Sequence, residues 1–285
     1  MRNTLKITSA MKMVSSAKLF KAQQAIAGNV PYERELHGML DALLKDKQAY
    51  QAFRQMPEAG NIGAEEKLPH RVTLVLFSSD SSLCGSFNMN VIRKFNETLK
   101  KLQEEGYGED DIEIYTVGKR IAEAVHRQGL SITREWVGDK HRSEYEKAVE
   151  IYDTLKYDFE MGKTRRIILV YNHFHSTGSQ YPKVDTYFPL IKEEVADTAM
   201  LDSEFILEPD AVELVHSLVP KVLLLKMYTV VLDANAAEHA ARTMAMQIAS
   251  DNAEDLLSEL TLSYNKTRQQ AITNEILDIV GGSLQ

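Results

Sequence analysis

At 285 residues the chain is long enough to bury a full core, as one large domain or as two unequal parts. Hydrophobic residues make up 44% and charged residues 26%, the balance of an ordinary globular protein, and a single cysteine excludes an intramolecular disulfide framework. The net charge of −8 hides an uneven spread: residues 1–32 carry Arg2, Lys6, Lys12, Lys18 and Lys21 with no acid, whereas acids dominate from Glu193 to Glu259.

Residues 3–28 (NTLKITSAMKMVSSAKLFKAQQAIAG) hold no helix breaker, and Ile7, Ala10, Val14 and Ala17 recur at the spacing of a coiled-coil seam. The seam residues are small, so a partner helix is expected to approach closely. The basic side of this arm suits an acidic partner, with nucleic acid as one candidate and a merely solvated helix face as the plainer reading. Beyond Gly28 and Pro31 the helix resumes, with Leu36, Leu40 and Leu43 on one face. Residues 55–70, with Pro57, Gly60, Gly63 and Pro69, read as an exposed loop.

The middle third changes character. RVTLVLF (71–77), IEIYTVG (112–118), LSITREW (130–136) and RIILVYNHF (166–174) are strand-like, rich in Val, Ile and aromatics. Helical stretches at 87–103, 118–128 and 143–159 lie between them, which implies βαβ units and a mostly parallel sheet. YPKVDTYFPL (181–190) follows a turn at Gly178, and its two prolines suit an antiparallel edge strand.

From Glu208 the pattern is helical again. Pro209 and Asp210 suit a helix start, Pro220 is expected to end or kink the first segment, and Gly281-Gly282 to close the run. The ~60 residues from Lys221 to Val280 would span on the order of 90 Å, too long for a small domain to bury. Ala237, Ala241, Met244 and Ile248 mark the expected seam. No apolar run approaches the ~18 residues of a membrane helix. The start shows no signal-peptide core, so a cytoplasmic address is expected. The expected divisions are a coiled-coil helix at 1–54, the loop at 55–70, an α/β domain at 71–207 and a second coiled-coil helix at 208–285. Because the two ends of the chain supply the long helices, they can pair antiparallel into a rod that projects from the domain.

Candidate chemistry is sparse. In VLFSSDSSLCGSFN (75–88), Cys84 follows a strand and precedes a helix, where a nucleophile could sit with a lowered pKa. No histidine is placed by spacing to act as its base, and the plainer reading makes Cys84 a small buried residue in a tight turn. His173 and His175 alternate on a strand end as metal ligands could, yet no carboxylate or cysteine stands at ligand spacing. Gly118, Lys119 and Arg120 open a helix as an anion site could, but a lone glycine with two bases suits a solvated helix start better. No cofactor or metal motif is expected.

The two ends carry what the middle lacks. EHAARTMAMQIASDNAEDLLSELTLSYNKTRQQAITNEILDIVGG closely resembles the C-terminus of the γ subunits of F-type ATP synthases, LKITSAMKMVSSAKLFKAQ resembles their first helix, and SDSSLCGSFN resembles their S-D-[RK]-G-L-C-G-G-x-N turn. The resemblance implies an α/β fold, a Rossmann-like, mostly parallel sheet domain plus a long antiparallel coiled coil. It implies a non-catalytic rotor shaft inside a ring of α and β subunits, above the ε subunit and the c-ring, coupling transmembrane proton flow to ATP synthesis or hydrolysis at the β-subunit sites. Nucleic acid is then no partner. The expected place is the cytoplasmic side of a bacterial inner membrane, reached only through the complex. Met11 and the basic side chains Lys12 and Lys18 correspond to the region near acidic loops of the β subunits. Arg242, Arg268, Gln269 and Thr273 correspond to positions that hydrogen-bond β-subunit loops, and Glu275 and Ile279 to the tip in its apolar bearing. Ser81 and Ser82 depart from the usual base and glycine, and the stretch 45–69 is longer than usual. The family's first helix usually begins earlier than Met1, so a trimmed or misassigned start is expected. The paired cysteines of the chloroplast insert are absent, so thiol control is not expected.

Overall fold

The computed structural model describes residues 2–60, 71–138, 142–190 and 207–283. In chain order it forms α1 (Arg2–Leu43), α2 (Lys47–Gln55), β1 (Val72–Phe77), α3 (Phe87–Glu104), β2 (Ile112–Val117), α4 (Lys119–Arg127), β3 (Arg134–Trp136), α5 (Glu144–Glu160), β4 (Arg166–Ser176), β5 (Ser179–Phe188) and α6 (Ala211–Ser283). The sheet order is β3-β2-β1-β4-β5, with β1 parallel to both β2 and β4, β2 parallel to β3, and β5 antiparallel to β4. The alternating middle third thus builds the parallel sheet its pattern implies, and the proline-bearing strand lies at the edge.

Strand alternation divides the core into two layers. Val72, Leu74, Leu76, Ile112, Ile114, Ile168 and Val170 face α3 and α4, where Val91, Phe95, Ile121 and Val125 meet them. Val75, Phe77, Tyr115, Ile167, Leu169 and Tyr171 face the other way. There Ile151, Leu155 and Phe159 of α5 cover them, together with Leu36, Leu40 and Leu43 of α1, Phe53 of α2, and Val219, Leu223 and Met227 of α6. The ends of both long helices therefore belong to the core of the sheet domain, and this core crosses the divisions expected at residues 54 and 207. Fully buried Tyr187 donates from its hydroxyl to the Leu223 carbonyl at 2.8 Å, tying β5 to α6. Tyr187→Phe removes only that bond and is expected to cost about 1 kcal/mol, lowering the thermal midpoint by ~2–4 °C, as calorimetry would read.

Pro31 does not interrupt its helix, and Pro220, where an end or a kink was expected, does not end its own. α1 runs through Gly28 and Pro31, and α6 runs through Pro220 and on past Gly281-Gly282 to Ser283. A proline inside a helix removes one hydrogen bond and costs ~3 kcal/mol, which tertiary packing must outweigh. Around Pro31, Asn29 donates to the Thr229 hydroxyl of α6 and Thr229 donates to Glu33, each at 3.0 Å, so the facing helix is fastened on both sides of the break. Pro220 stands among the buried Val215, Val219, Val222 and Leu223. At ~1.5 Å per residue, α1 spans ~63 Å and α6 ~110 Å. Read as one unbroken helix, α6 contains a window long and apolar enough to cross a membrane, where no such run was expected; part of that window is buried within the chain.

The expected loop at 55–70 is also corrected over its first part, residues 61–70 lying outside the described region. Asp46 caps α2 by accepting from the amides of Gln48 and Ala49, both at 2.9 Å. Met56 is buried in the main core, and Glu58 is buried beside Lys156, with Nζ 3.5 Å from its carboxylate. The amide of Leu190 donates to the Glu58 carbonyl at 2.7 Å, so this stretch packs against the end of the sheet instead of lying free.

Candidate functional site

α1 and α6 pair antiparallel beyond the sheet domain, but not through the expected seam. Ile7 and Val14 are 59% and 57% exposed, Met244 and Ile248 are exposed as well, and Ala237 is buried beneath the sheet domain instead of in the helix seam. The real seam lies one or two residues round each helix. Ser15, Leu19, Ala22 and Ile26 of α1 face Ala236, Ala240, Met246, Ser250 and Ala253 of α6. Ser250 donates to the Thr8 hydroxyl at 2.8 Å. Small and hydroxylated residues let the two backbones come close and satisfy each other, which turns the bulkier Ile7, Val14, Met244 and Ile248 outward. From Glu254 to Leu277 every side chain but Leu257 is exposed, including Leu260, Leu262, Tyr264, Ile272, Ile276 and Leu277. That is a lone helix with apolar groups on several sides, and it lacks any core of its own.

The expected contact residues fall into two groups. Met11, Lys18 and Arg242 line one cavity of about 300 Å³ with Ser15, Ser81 and His239. Lys12 is half-buried near it on α1. Arg268, Gln269, Thr273, Glu275 and Ile279 are all exposed on the lone segment, roughly 40 Å further along the axis by helix rise. Helical spacing puts Arg268, Glu275 and Ile279 on one stripe and Gln269 with Thr273 on the next. Arg242 stands apart from the rest. It is 7% exposed, pairs with Glu238, and donates to the Ser81 hydroxyl at 2.8 Å and the Ser81 carbonyl at 3.3 Å. Its bonds are to its own chain. Burial pushes the Glu238 carboxyl above the usual range, against the pull of Arg242.

The turn that receives Arg242 is built on itself. Ser79 is fully buried, donates to the Ser81 carbonyl at 2.7 Å and takes its backbone acceptor from Asn88, at 3.1 Å. Leu83 sits in the left-handed region at φ 69°, an uncommon conformation for a branched residue, and Gly85 follows at φ 57°. Cys84 is 2% exposed, with its sulfur 3.2 Å from the Asn88 amide and 3.6 Å from the Ser79 hydroxyl. Its neighbours are Phe87 and Ala237, and its polar contacts are a serine, a carbonyl and an amide.

The helix start at Gly118 is closed in the same way. The amides of Lys119, Arg120 and Ile121 donate to Asp80, to the Ser79 carbonyl and to the Ser78 hydroxyl at 3.1, 3.1 and 3.0 Å. An added Cβ on Gly118 would meet the Ser78 carbonyl oxygen at 2.2 Å, and φ is +101°, so only glycine lets these strands end so close together. The donors an anion would need are thus already taken. His173 is bonded to Asp233 of α6 at 2.5 Å, and His175 lies beside Tyr181. What sequence reasoning missed is this junction: Asp233 and Phe174 carried no motif, Glu238 and His239 lay in the family stretch with no role assigned, and only the fold brings them to the turn and the hairpin.

His239 is pushed from its usual 6.5 down to about 4, by burial first and then by Arg242 and Lys18. The unfolded imidazole protonates near pH 6.5 and the folded one only near 4, so this group's contribution is present above pH 6.5 and lost as pH falls toward 4. His239→Gln is therefore expected to melt with a smaller drop between pH 7 and pH 4.5 than the parent chain. Equal drops in the two chains would contradict the assignment.

The comparisons agree in direction. A family model described as ATP synthase matches residues 1–284. An ATP synthase gamma chain of Bacteroides thetaiotaomicron is 43% identical over 296 residues, covering 100% of this chain and 95% of that one. Another, of Phocaeicola vulgatus, is 44% identical and covers 99% and 94%. Among solved structures, a chain from the Tetrahymena thermophila mitochondrial ATP synthase central stalk and c-ring aligns with a TM-score of 0.58 at 19% identity, over 86% of this chain and 99% of that one. A chain from the Euglena gracilis mitochondrial ATP synthase rotor aligns at 0.52 and 16% identity, over 90% and 99%. At such identities the structural likeness is one of fold. The full-length sequence matches go further: the chain belongs to the ATP synthase γ chain family.

Proposed function

We infer that the chain is the central rotary shaft of an F-type ATP synthase, turned at its sheet domain by transmembrane ion flow and acting on nucleotide sites in the surrounding β subunits. The observation that carries this is the lone segment of α6, whose apolar side chains are exposed on several sides and which the described residues leave uncovered. A helix of this kind needs an enclosing sleeve, and a ring of α and β subunits supplies one. Met11 and the basic side chains Lys12 and Lys18 face the acidic β-subunit loops. Arg268, Gln269 and Thr273 are angle-dependent polar catches, and Glu275 and Ile279 lie at the bearing. The sheet domain faces the ε subunit and the c-ring, the chain is non-catalytic, and it meets the bacterial membrane from the cytoplasmic side through the complex alone.

The test is rotation. With α and β subunits immobilised and a bead fixed to the sheet domain, ATP should drive one-way stepping. Assembly with the ring but no ATP-dependent turning would overturn the reading. In the same complex Cys84→Ser is expected to keep most ATP hydrolysis, since Ser79, Ser81 and Asn88 can bond a hydroxyl where they now meet a thiol. Loss of nearly all turnover in an intact complex would instead make Cys84 a working nucleophile.

A further inference from the structure

Where α6 leaves the main core, past the Tyr187–Leu223 and Lys226–Thr186 bonds, the sheet domain grips it at two further points, and helical geometry sets them against each other. At the first, the β4–β5 hairpin leaves the sheet and reaches both long helices. The Phe174 ring joins two apolar clusters, one with Leu19, Ala22, Ile26, Ala236 and Ala240, the other with Cys84, Phe87, Ala237 and Ala241. Beside it, the Asp233 carboxylate accepts the Phe174 amide at 2.8 Å and, in its ionised form, the His173 Nδ1–H at 2.5 Å. Burial raises the Asp233 pKa while these two bonds hold it down. At the second point, Arg242 donates to Ser81 at the turn after β1. Nine residues separate Asp233 from Arg242, two and a half helical turns, which puts the two on opposite faces of α6. Between them the faces of the helix that meet Leu19, Phe174 and Cys84 carry only alanines, Ala236, Ala237, Ala240 and Ala241, with little to resist twisting.

A turning moment applied to the sheet domain tends to slip α6 about its own axis. Contact through alanines resists separation but offers little against rotation, since it lacks the interlocking side chains of a packed core. Directional hydrogen bonds on opposite faces resist rotation directly. We propose that Asp233, held by His173 and the Phe174 amide and opposed by the Arg242–Ser81 bond, is the positioning residue that keeps α6 from turning where it leaves the core of the sheet domain. The clamp rests on the rotor reading, because slip matters only if torque passes from the sheet domain to the helix. It acts under load and leaves nucleotide chemistry untouched.

The experiment compares ATP hydrolysis by the detached catalytic part with ATP-driven proton uptake by the whole complex in vesicles, read with a pH-sensitive dye. Wild-type assembly and pumping test the rotor reading; the variants test the clamp. Asp233→Ala should leave detached hydrolysis within twofold of wild type and lower protons moved per ATP at least fivefold, with Asp233→Ala/Ser81→Ala lower still. Asp233→Asn, which keeps an oxygen for the Phe174 amide, should restore more than half of the loss. His173→Gln, a milder change that spares the Phe174 bond, should show about a twofold loss and keeps the test open if Asp233→Ala fails to assemble. Protons per ATP at the wild-type value in each assembled variant would overturn the clamp. So would hydrolysis and pumping falling in equal proportion, the mark of a merely structural role.

Discussion

In the isolated chain, the backbone amides between about residues 258 and 277 are expected to exchange with solvent at least ~1,000-fold faster than those of β1 and β4. Side chains on that segment are exposed throughout, so its hydrogen bonds are protected only by the local helix–coil equilibrium, and an unsupported helix is marginal in water. The amides of Leu74, Val75 and Leu169 lie beneath side chains with no exposed surface, and opening them requires unfolding of the sheet domain. Global unfolding costs ~5–15 kcal/mol, and every ~1.4 kcal/mol is a factor of ten, which separates the two regions by several decades. The paired region of α1 from Ser9 to Gln24 should fall between them, since only Ser15 and Leu19 of its residues are buried. In the assembled complex the lone segment should become protected. Equal protection of that segment and the sheet in the free chain would mean contacts within the chain cover it, and the case for an enclosing ring would lose its physical basis.

The second large effect is expected from Arg268→Ala/Gln269→Ala. Both side chains are exposed on the lone segment, so their removal should leave the melting midpoint of the isolated chain unchanged. In the complex, a hydrogen bond to a charged group is worth ~1.5–3 kcal/mol net, and if it forms at one shaft angle its loss alters a barrier by roughly 10- to 150-fold. ATP hydrolysis by the complex, or proton uptake per ATP, should therefore fall by about tenfold or more. Assembly, turnover and pumping all at wild-type values would show that these two residues make no catch. Arg242, by contrast, is engaged with Ser81 and Glu238, so its replacement would disturb the junction within the chain before any partner was reached.

How far this was readable from sequence depends on whether the information is local. The strands showed themselves because Val, Ile and aromatic residues cluster where both faces of β1 are covered, and each helix between strands was bounded by its own turn residues. Length alone required the last helix to leave the domain, and the two ends carried family motifs specific enough to name the γ chains. The seam was missed by one or two residues because period is local and phase is not. A spacing of three and four fits Ile7-Ala10-Val14 as well as Thr8-Ser15-Leu19, and only the facing Ser250 and Ala240 decide between them. Pro31 and Pro220 looked like breaks because their cost is intrinsic, whereas the packing and cross-helix bonds that outweigh it come from residues as distant as Thr229. The junction was least readable of all. Arg242 meets Ser81 across 161 residues and Asp233 meets His173 across 60, and hydrogen bonds over such separations exist only once the sheet has placed its turn and its hairpin on opposite sides of one helix. Sequence therefore determined the elements, their order and the family, because these rest on neighbours along the chain. Which face of each helix is inside, and which charged groups are left for partners, was decided by tertiary structure, because a helix has no preferred rotation until something packs against it.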